Sequence, residues 1–233
     1  MKREIIVTAD GSTTIHIPEW NEQYHSKHGA IQEAYHVFIK HGLHHFCSKL
    51  CHSELVSESH YSISILEIGF GTGLNAFITL LEAEKLKQNI NYIGIEAFPV
   101  SEEEILKLNY PKELKGENSE SVFSKLHNTS WEEKHAISAQ FSLTKRKQFF
   151  SEIEDKETYN LIYFDAFGAR VQPELWTEDI FKKMYNALKN NGILVTYSAK
   201  GSVRRSMLSV GFKVEKLPGP PGKREMLRAW KEA

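Results

Sequence analysis

Three glycines and three acids carry the chemistry that can be read directly from this chain. The segment ILEIGFGTGLNAF, residues 65–77, sets Gly69, Gly71 and Gly73 between an apolar run and a helical pattern. Glycines between strand and helix permit a tight turn and a close approach of backbone to ligand. The spacing is G-x-G-x-G, not the G-x-G-x-x-G of dinucleotide sites. Glu67 stands two residues before the first glycine, at the strand's carboxyl end. A carboxylate there repels a pyrophosphate and suits a cation such as the amino group of S-adenosylmethionine. Glu96 ends the next apolar run, YIGIE, where an acid accepts hydrogen bonds from a ribose diol. That role serves NAD equally, so Glu96 does not discriminate between the two. Asp165 ends the run LIYFD and precedes an irregular stretch long enough to cover a cofactor and shape a substrate pocket. An Asp capping a turn is the plain alternative.

These residues need elements to hold them. Residues 1–17 read as a β-hairpin about Asp10-Gly11, and a helical pattern from Gly29 fades near Gly42 and resumes to Leu50. From residue 61 short apolar runs alternate with helical stretches. Strands fit at 63–68, 90–95, 141–144, 161–164 and 193–197. Helices fit from Phe77 to Leu86 and at 101–108, 119–127, 174–188 and 201–210. Two last strands, 212–217 and 225–230, flank the turn PGPPGK. Such alternation means βαβ units and a mostly parallel sheet, with an antiparallel edge at the C-terminus. The expected organisation is an extension over 1–60 and one α/β domain over 61–233.

Composition narrows the class. The 233 residues are 41% hydrophobic and 25% charged, which excludes a disordered or collagen-like chain. No apolar run approaches the ~20 residues of a membrane span. The N-terminus lacks a signal-peptide core, and two cysteines cannot build a disulfide framework, so a cytoplasmic protein is expected. Nine of eleven histidines precede residue 61, and HHFCSKLCH places Cys47 and Cys51 on one helix face. That spacing matches no standard zinc site, and no metal is expected. A net charge of −1 argues against a nucleic-acid binder until it is divided. Residues 200–233 hold nine Lys+Arg against three Glu, a net of +6, so the rest carries −7. A basic tail suits phosphates.

Together the motifs resemble the methyltransferase domain of the tRNA 5-methylaminomethyl-2-thiouridine biosynthesis protein over nearly the whole chain. Tyr24, Ser26, Gly29, Glu33 and Val37-Phe38 are similar to its N-terminal signature, and residues 67–75, ending at Asn75, to its cofactor loop. Glu96-Ala-Phe-Pro99, Phe164-Asp-Ala-Phe167 and Pro173-Glu-Leu-Trp-Thr177 match further motifs. The tail is the most specific part: Tyr197-Ser198, Val203-Arg-Arg205, Gly211-Phe212 and Gly222-Lys-Arg-Glu-Met226. The resemblance implies a class I, Rossmann-like methyltransferase fold and S-adenosylmethionine as cofactor. It implies 5-aminomethyl-(2-thio)uridine at the tRNA wobble position as substrate. Because the chain stops at Ala233, the expectation is a stand-alone enzyme without the FAD-dependent oxidoreductase domain that follows in many bacteria.

Under that reading Asp165 holds and orients the attacking amine. Glu67, Gly69, Gly71, Gly73, Asn75 and Glu96 bind cofactor. The family's Gly-Asp pair for adenine is missing, and Gln148 stands nearest its place. Tyr24 and Phe167 stack on the uridine, whereas Trp176, at a helix start, reads as packing. Arg204, Arg205, Lys223 and Arg224 contact tRNA. The rivals are a methyltransferase acting on another nucleophile, a non-catalytic RNA-binding protein of the same fold and, less well, an NAD-dependent dehydrogenase.

Overall fold

The structure, a computed structural model, describes residues 2–51, 61–116 and 118–232, with only the backbone at Cys51. Its N-terminal hairpin pairs β1 (Glu4–Val7) with β2 (Thr13–Ile17), and a two-residue β3 (Glu22–Gln23) adds to β2. Helical chain then runs without a break. It is α-helical over α1 (Ala30–Ala34), π-helical over Tyr35–His44 and α-helical over α2 (His45–Cys51). The pattern fades at Gly42 for a packing reason rather than a break. A Cβ there would sit 3.1 Å from the Tyr163 ring and 3.2 Å from Val195, so the glycine lets the helix lie close on the sheet.

Eight strands build the main sheet: β4 (Ser62–Ile68), β5 (Asn89–Ile95), β6 (Lys134–Ala136), β7 (Phe141–Arg146), β8 (Tyr159–Phe164), β9 (Leu188–Thr196), β10 (Lys213–Pro218) and β11 (Glu225–Trp230). Their order is β10-β11-β9-β8-β4-β5-β7-β6. The five central strands are parallel. The C-terminal pair is antiparallel, as the Pro/Gly turn indicates. A short antiparallel edge, β6, has no counterpart in the sequence reading.

Helices α3 (Leu74–Leu86), α4 (Glu102–Ile105), α5 (Tyr110–Leu114), α6 (Ser119–Asn128), α7 (Glu178–Ala187) and α8 (Gly201–Ser209) complete the layers. Alternate residues of β8 enter two different cores. Leu161 and Tyr163 join Val37, Phe38, Phe77 and Phe123, whereas Ile162 and Phe164 join Phe181, Met184 and Met207. Burial on both faces is why the central strands read as nearly continuous apolar runs. Ile15, Val37 and Leu43 lie in the same core as Ile63 and Ile65, so the chain before residue 61 supplies part of the central packing.

The helix expected over 101–108 is shortened to α4, and α5, which was not expected, follows it. The Asn109 side chain between them leaves the helix axis and accepts from Thr13 N (2.8 Å) and Thr13 Oγ1 (3.1 Å). A contact across 96 residues overrides local propensity.

Gly94 on β5 couples the sheet to the glycine loop. A Cβ there would stand 2.3 Å from Phe70 Cδ2 and 3.2 Å from Phe70 Cβ. We expect Gly94→Ala to cost about 1–3 kcal/mol by overpacking and to lower Tm by several degrees. A thermal melt unchanged from wild type would show that Phe70 yields freely.

Candidate active site

The strand order reverses between β4 and β8, so the loops leaving their carboxyl ends diverge and open a crevice. Gly69 makes the first of these loops possible. Its φ is +89°, and a Cβ would lie 2.7 Å from the Asp165 carbonyl oxygen, so no other residue fits. Asp165 N donates to Ile68 O (2.9 Å), which presses the two loops together. Gly71 lies beneath the Tyr24 ring, 3.1 Å from where its Cβ would be.

At the base of the crevice Asn75 joins two acids. Its Nδ2 donates to Glu67 Oε1 (2.9 Å) and to Asp165 Oδ2 (2.8 Å). A side-chain amide offers two N–H donors without adding charge, so it suits a place between two carboxyl groups. Burial pushes the Asp165 carboxyl up to about 7; the nearby Glu33 carboxylate adds to the rise, and the Asn75 bond and Lys223 oppose it. Burial also drives the Glu67 carboxyl well above the usual carboxylate range. His25 flanks Asp165, with Nδ1 4.0 Å from Oδ2, and its Nε2 is 2.8 Å from Thr72 Oγ1. The Tyr110 hydroxyl donates to that same oxygen (3.1 Å). Burial lowers His25 to about 4, so its ring is neutral at pH 7.

A cavity of about 1130 Å³ opens from this base. Gly69, Gly71, Glu96, Asp165, Tyr24 and Phe167 line it, together with Lys223. Glu96 Oε2 accepts from Gly71 N (3.0 Å) and its Oε1 from Phe98 N (2.9 Å). Other expected site residues lie elsewhere. Glu67, only 1% exposed, sits behind Asn75 and off the cavity wall, so the direct contact with a cation foreseen for it is not formed at that wall. Gly73 and Asn75 also lie behind the wall. Gln148 is half-buried and off the wall, because the turn Phe150–Glu152 that follows brings Phe149, Phe150 and Ser151 to the cavity instead.

The basic tail is largely consumed within the fold. Arg228 pairs with Glu215 (2.8 Å), Lys216 with Glu225 (2.8 Å), Lys213 with Glu232 (3.7 Å) and Lys231 with Glu157 (3.4 Å). Lys223, expected to contact tRNA, pairs with Glu33 inside the cavity. Among the described residues no ion pair forms at Lys200, Arg204, Arg205 or Arg224; Lys200 lines the cavity, Arg204 is half-buried and the last two are exposed. Trp176 packs as expected, 4% exposed, with Nε1 donating to Phe167 O (2.7 Å).

Several wall residues had no role in the sequence reading. Trp20 meets Phe167 edge-on with centroids 5.5 Å apart, and Tyr24 does so at 4.9 Å. Phe98 and Phe149, both more than half exposed, pair at 5.9 Å beside Glu96. Adjacency to Tyr24 and to Glu96 was the available signal for His25 and Phe98. Tyr197 stood in the tail motif without a role, and Trp20 carried no signal. Cys51's side chain and His52, part of the cysteine–histidine run, lie outside the described residues. Among the described residues no group of three His, Cys, Asp or Glu could hold a metal, and no helix is long and apolar enough to cross a membrane.

Glycine backbone without Cβ atoms at the wall and a carboxylate at the end of β5 make a site that fits S-adenosylmethionine. Fold and crevice define a class I S-adenosylmethionine-dependent methyltransferase. The chain belongs to the family described as S-adenosyl-L-methionine-dependent methyltransferase, whose model matches residues 114–232. It is 28% identical over 219 residues to the tRNA 5-methylaminomethyl-2-thiouridine biosynthesis bifunctional protein MnmC of Hydrogenovibrio crunogenus, covering 89% of this chain and 31% of that protein. The protein of the same name from Leptospira borgpetersenii serovar Hardjo-bovis is 31% identical over 230 residues, with 89% and 32% covered. The chain thus spans about a third of these curated relatives. The crystal structure of MNMC2 from Aquifex aeolicus superposes with a TM-score of 0.78 at 27% identity, covering all of this chain and 71% of that one.

Because folding raises the Asp165 proton affinity, its contribution to stability is full below pH 4 and is lost as pH rises to about 7. Asp165→Asn should therefore be more stable than wild type above pH 7, on the order of a few kcal/mol, with the advantage shrinking below pH 7. Denaturant melts at pH 8 and pH 5 measure this; equal differences at both would rule it out.

Proposed function

We propose that this chain transfers a methyl group to the primary amine of 5-aminomethyl-(2-thio)uridine at the wobble position of tRNA. The observation that carries the reading is Asp165: a buried carboxyl at the crevice, poised near neutrality, with space before it for a substrate. The names of the relatives support tRNA as substrate. When bound, S-adenosylmethionine supplies a methyl group on a sulfonium sulfur, a good leaving group. An alkylamine arrives protonated and cannot attack in that state. Asp165 accepts the ammonium proton, and a base whose proton affinity matches the working pH does so most effectively. Before that transfer the Asn75 amide donates to Oδ2 and holds the ionised carboxylate in place. Holding amine and methyl donor in one dry crevice supplies most of the rest.

In this reading Gly69, Gly71 and Glu96 hold the cofactor's backbone-facing and ribose parts. Glu67, Gly73 and Asn75 act from behind by shaping the loop. Phe98 and Phe149, rather than Gln148, offer the apolar slot for adenine. Tyr24, Phe167 and Trp20 present rings to a splayed uridine. The extension over 1–60 closes one wall of the domain over 61–233. Arg204, Arg205 and Arg224, with Lys200, supply unpaired charge for the phosphates.

Mass spectrometry of tRNA nucleosides tests the reading. A strain lacking the protein should accumulate 5-aminomethyl-uridine species; wild type should clear them, and Asp165→Ala should not, while still binding S-adenosylmethionine in a thermal-shift assay. Normal methylation by Asp165→Ala would refute the role of this residue.

The charge assignment has its own check. Affinity for tRNA should fall with salt, and Arg205→Ala or Arg224→Ala should weaken it across tRNA sequences and lower the salt slope by roughly one each. An affinity independent of salt would refute the basic face.

A further inference from the structure

Glu33 and Lys223 stand 190 residues apart, one on α1 and the other in the turn between β10 and β11. They meet inside the cavity that holds Asp165, with Lys223 Nζ 2.5 Å from Glu33 Oε1. The same ammonium lies 3.7 Å from the centroid of the Tyr197 ring. Glu33 Oε2 accepts from Ser26 N (2.9 Å), and its side chain is 7% exposed. The turn that carries Lys223 is fixed on the extension at two more points. His36 Nε2 is 2.7 Å from Pro218 O, and Gly222, at φ +83°, packs so closely on His28 that a Cβ would meet its ring at 2.3 Å. An exposed lysine in a glycine turn is ordinarily mobile and solvated. Here the lysine is held by a carboxylate, an aromatic face and a turn with no freedom to withdraw it.

We propose that the Glu33–Lys223 ion pair is a positioning device that sets the charge state of Asp165. The proposal rests on Asp165 being the base of the reaction. In a dry crevice a neighbouring charge acts strongly, because little water screens it. The two partners act on Asp165 in opposite senses: the Glu33 carboxylate disfavours ionisation and the Lys223 ammonium favours it. The pair is therefore a balance. Removing either member tips it, and the two removals tip it in opposite directions. The other groups facing this point are His25, which is neutral, Tyr197, whose hydroxyl donates to Ala166 O (2.8 Å), Tyr92, and Glu67 behind Asn75. Glu22 faces the same wall through Tyr197.

The carboxyl carbon of Asp165 can be followed by NMR against pH in aspartate-labelled protein without cofactor, assigned by its loss in Asp165→Asn. Glu33→Gln should move the midpoint down by about one unit or more, and Lys223→Met should move the upper step of the two carboxyls up by a similar amount. Lys223→Arg, which keeps the charge, should stay near wild type and covers the case in which the methionine variant fails to fold. Midpoints within a few tenths of wild type in Glu33→Gln and Lys223→Met, or shifts of the same sign in both, would overturn the proposal. The acid limb of kcat/KM, read on the same variants, separates this from the functional reading. If the carboxyl shifts as stated but the limb does not follow, the ion pair tunes Asp165 as proposed and Asp165 is not the base.

Discussion

Glu67 and Asp165 end two adjacent parallel strands, and the strand register brings their side chains to one dry point. Two carboxylates cannot both ionise there without a large cost. The amide of Asn75 resolves the conflict, because it gives one N–H to each acid and contributes no charge of its own. Much of the site follows from that bridge. The first residues of α3 must sit directly over the strand ends, which only a glycine loop with little side-chain bulk permits. Asp165 is held forward, Glu67 is held back, and the carboxyl that faces the cavity is left near the point of losing its proton.

The chain before residue 52 packs into the central core and helps wall the crevice. Its helix packs on the sheet through Gly42, its loop brings Tyr24 and His25 over the glycine turn, and α1 supplies Glu33. Arg170, in the loop after β8, donates to Trp20 O (2.9 Å) and Asn21 O (3.0 Å) and so ties that loop to the extension. The cavity is closed by segments from both ends of the chain, which explains why it is deep enough to keep a carboxyl group from water.

Charge shows how far an average can mislead. The near-zero net charge conceals a basic tail, and the tail in turn conceals its own pairing. Five of its nine cations are bound to carboxylates, three on strands, Lys231 just past β11 and one inside the cavity. The two exposed pairs, Lys213–Glu232 and Lys216–Glu225, add little to stability. Their consequence here is that only a few cations remain to meet phosphates.

The local chemistry of the chain was readable from its residues alone. Period-2 and period-3.6 patterns mark strands and helices, three glycines mark a turn that other residues cannot make, and acids at strand ends mark the mouth of the crevice. Each of those signals lives within a dozen residues, so no folding was needed to see it. The partners across the fold were not readable. Asn109 binds Thr13, Lys223 turns to Glu33, and Gln148 leaves the cavity wall to Phe149, Phe150 and Ser151. Nothing in the sequence near these residues records the distant group, because ion pairs and side-chain bonds are chosen by proximity in space. The sequence by itself determined which elements form and which acids could act. Only the tertiary structure decided which acid faces the cavity and what charge it meets there, since burial and neighbouring charge exist only once the chain is folded.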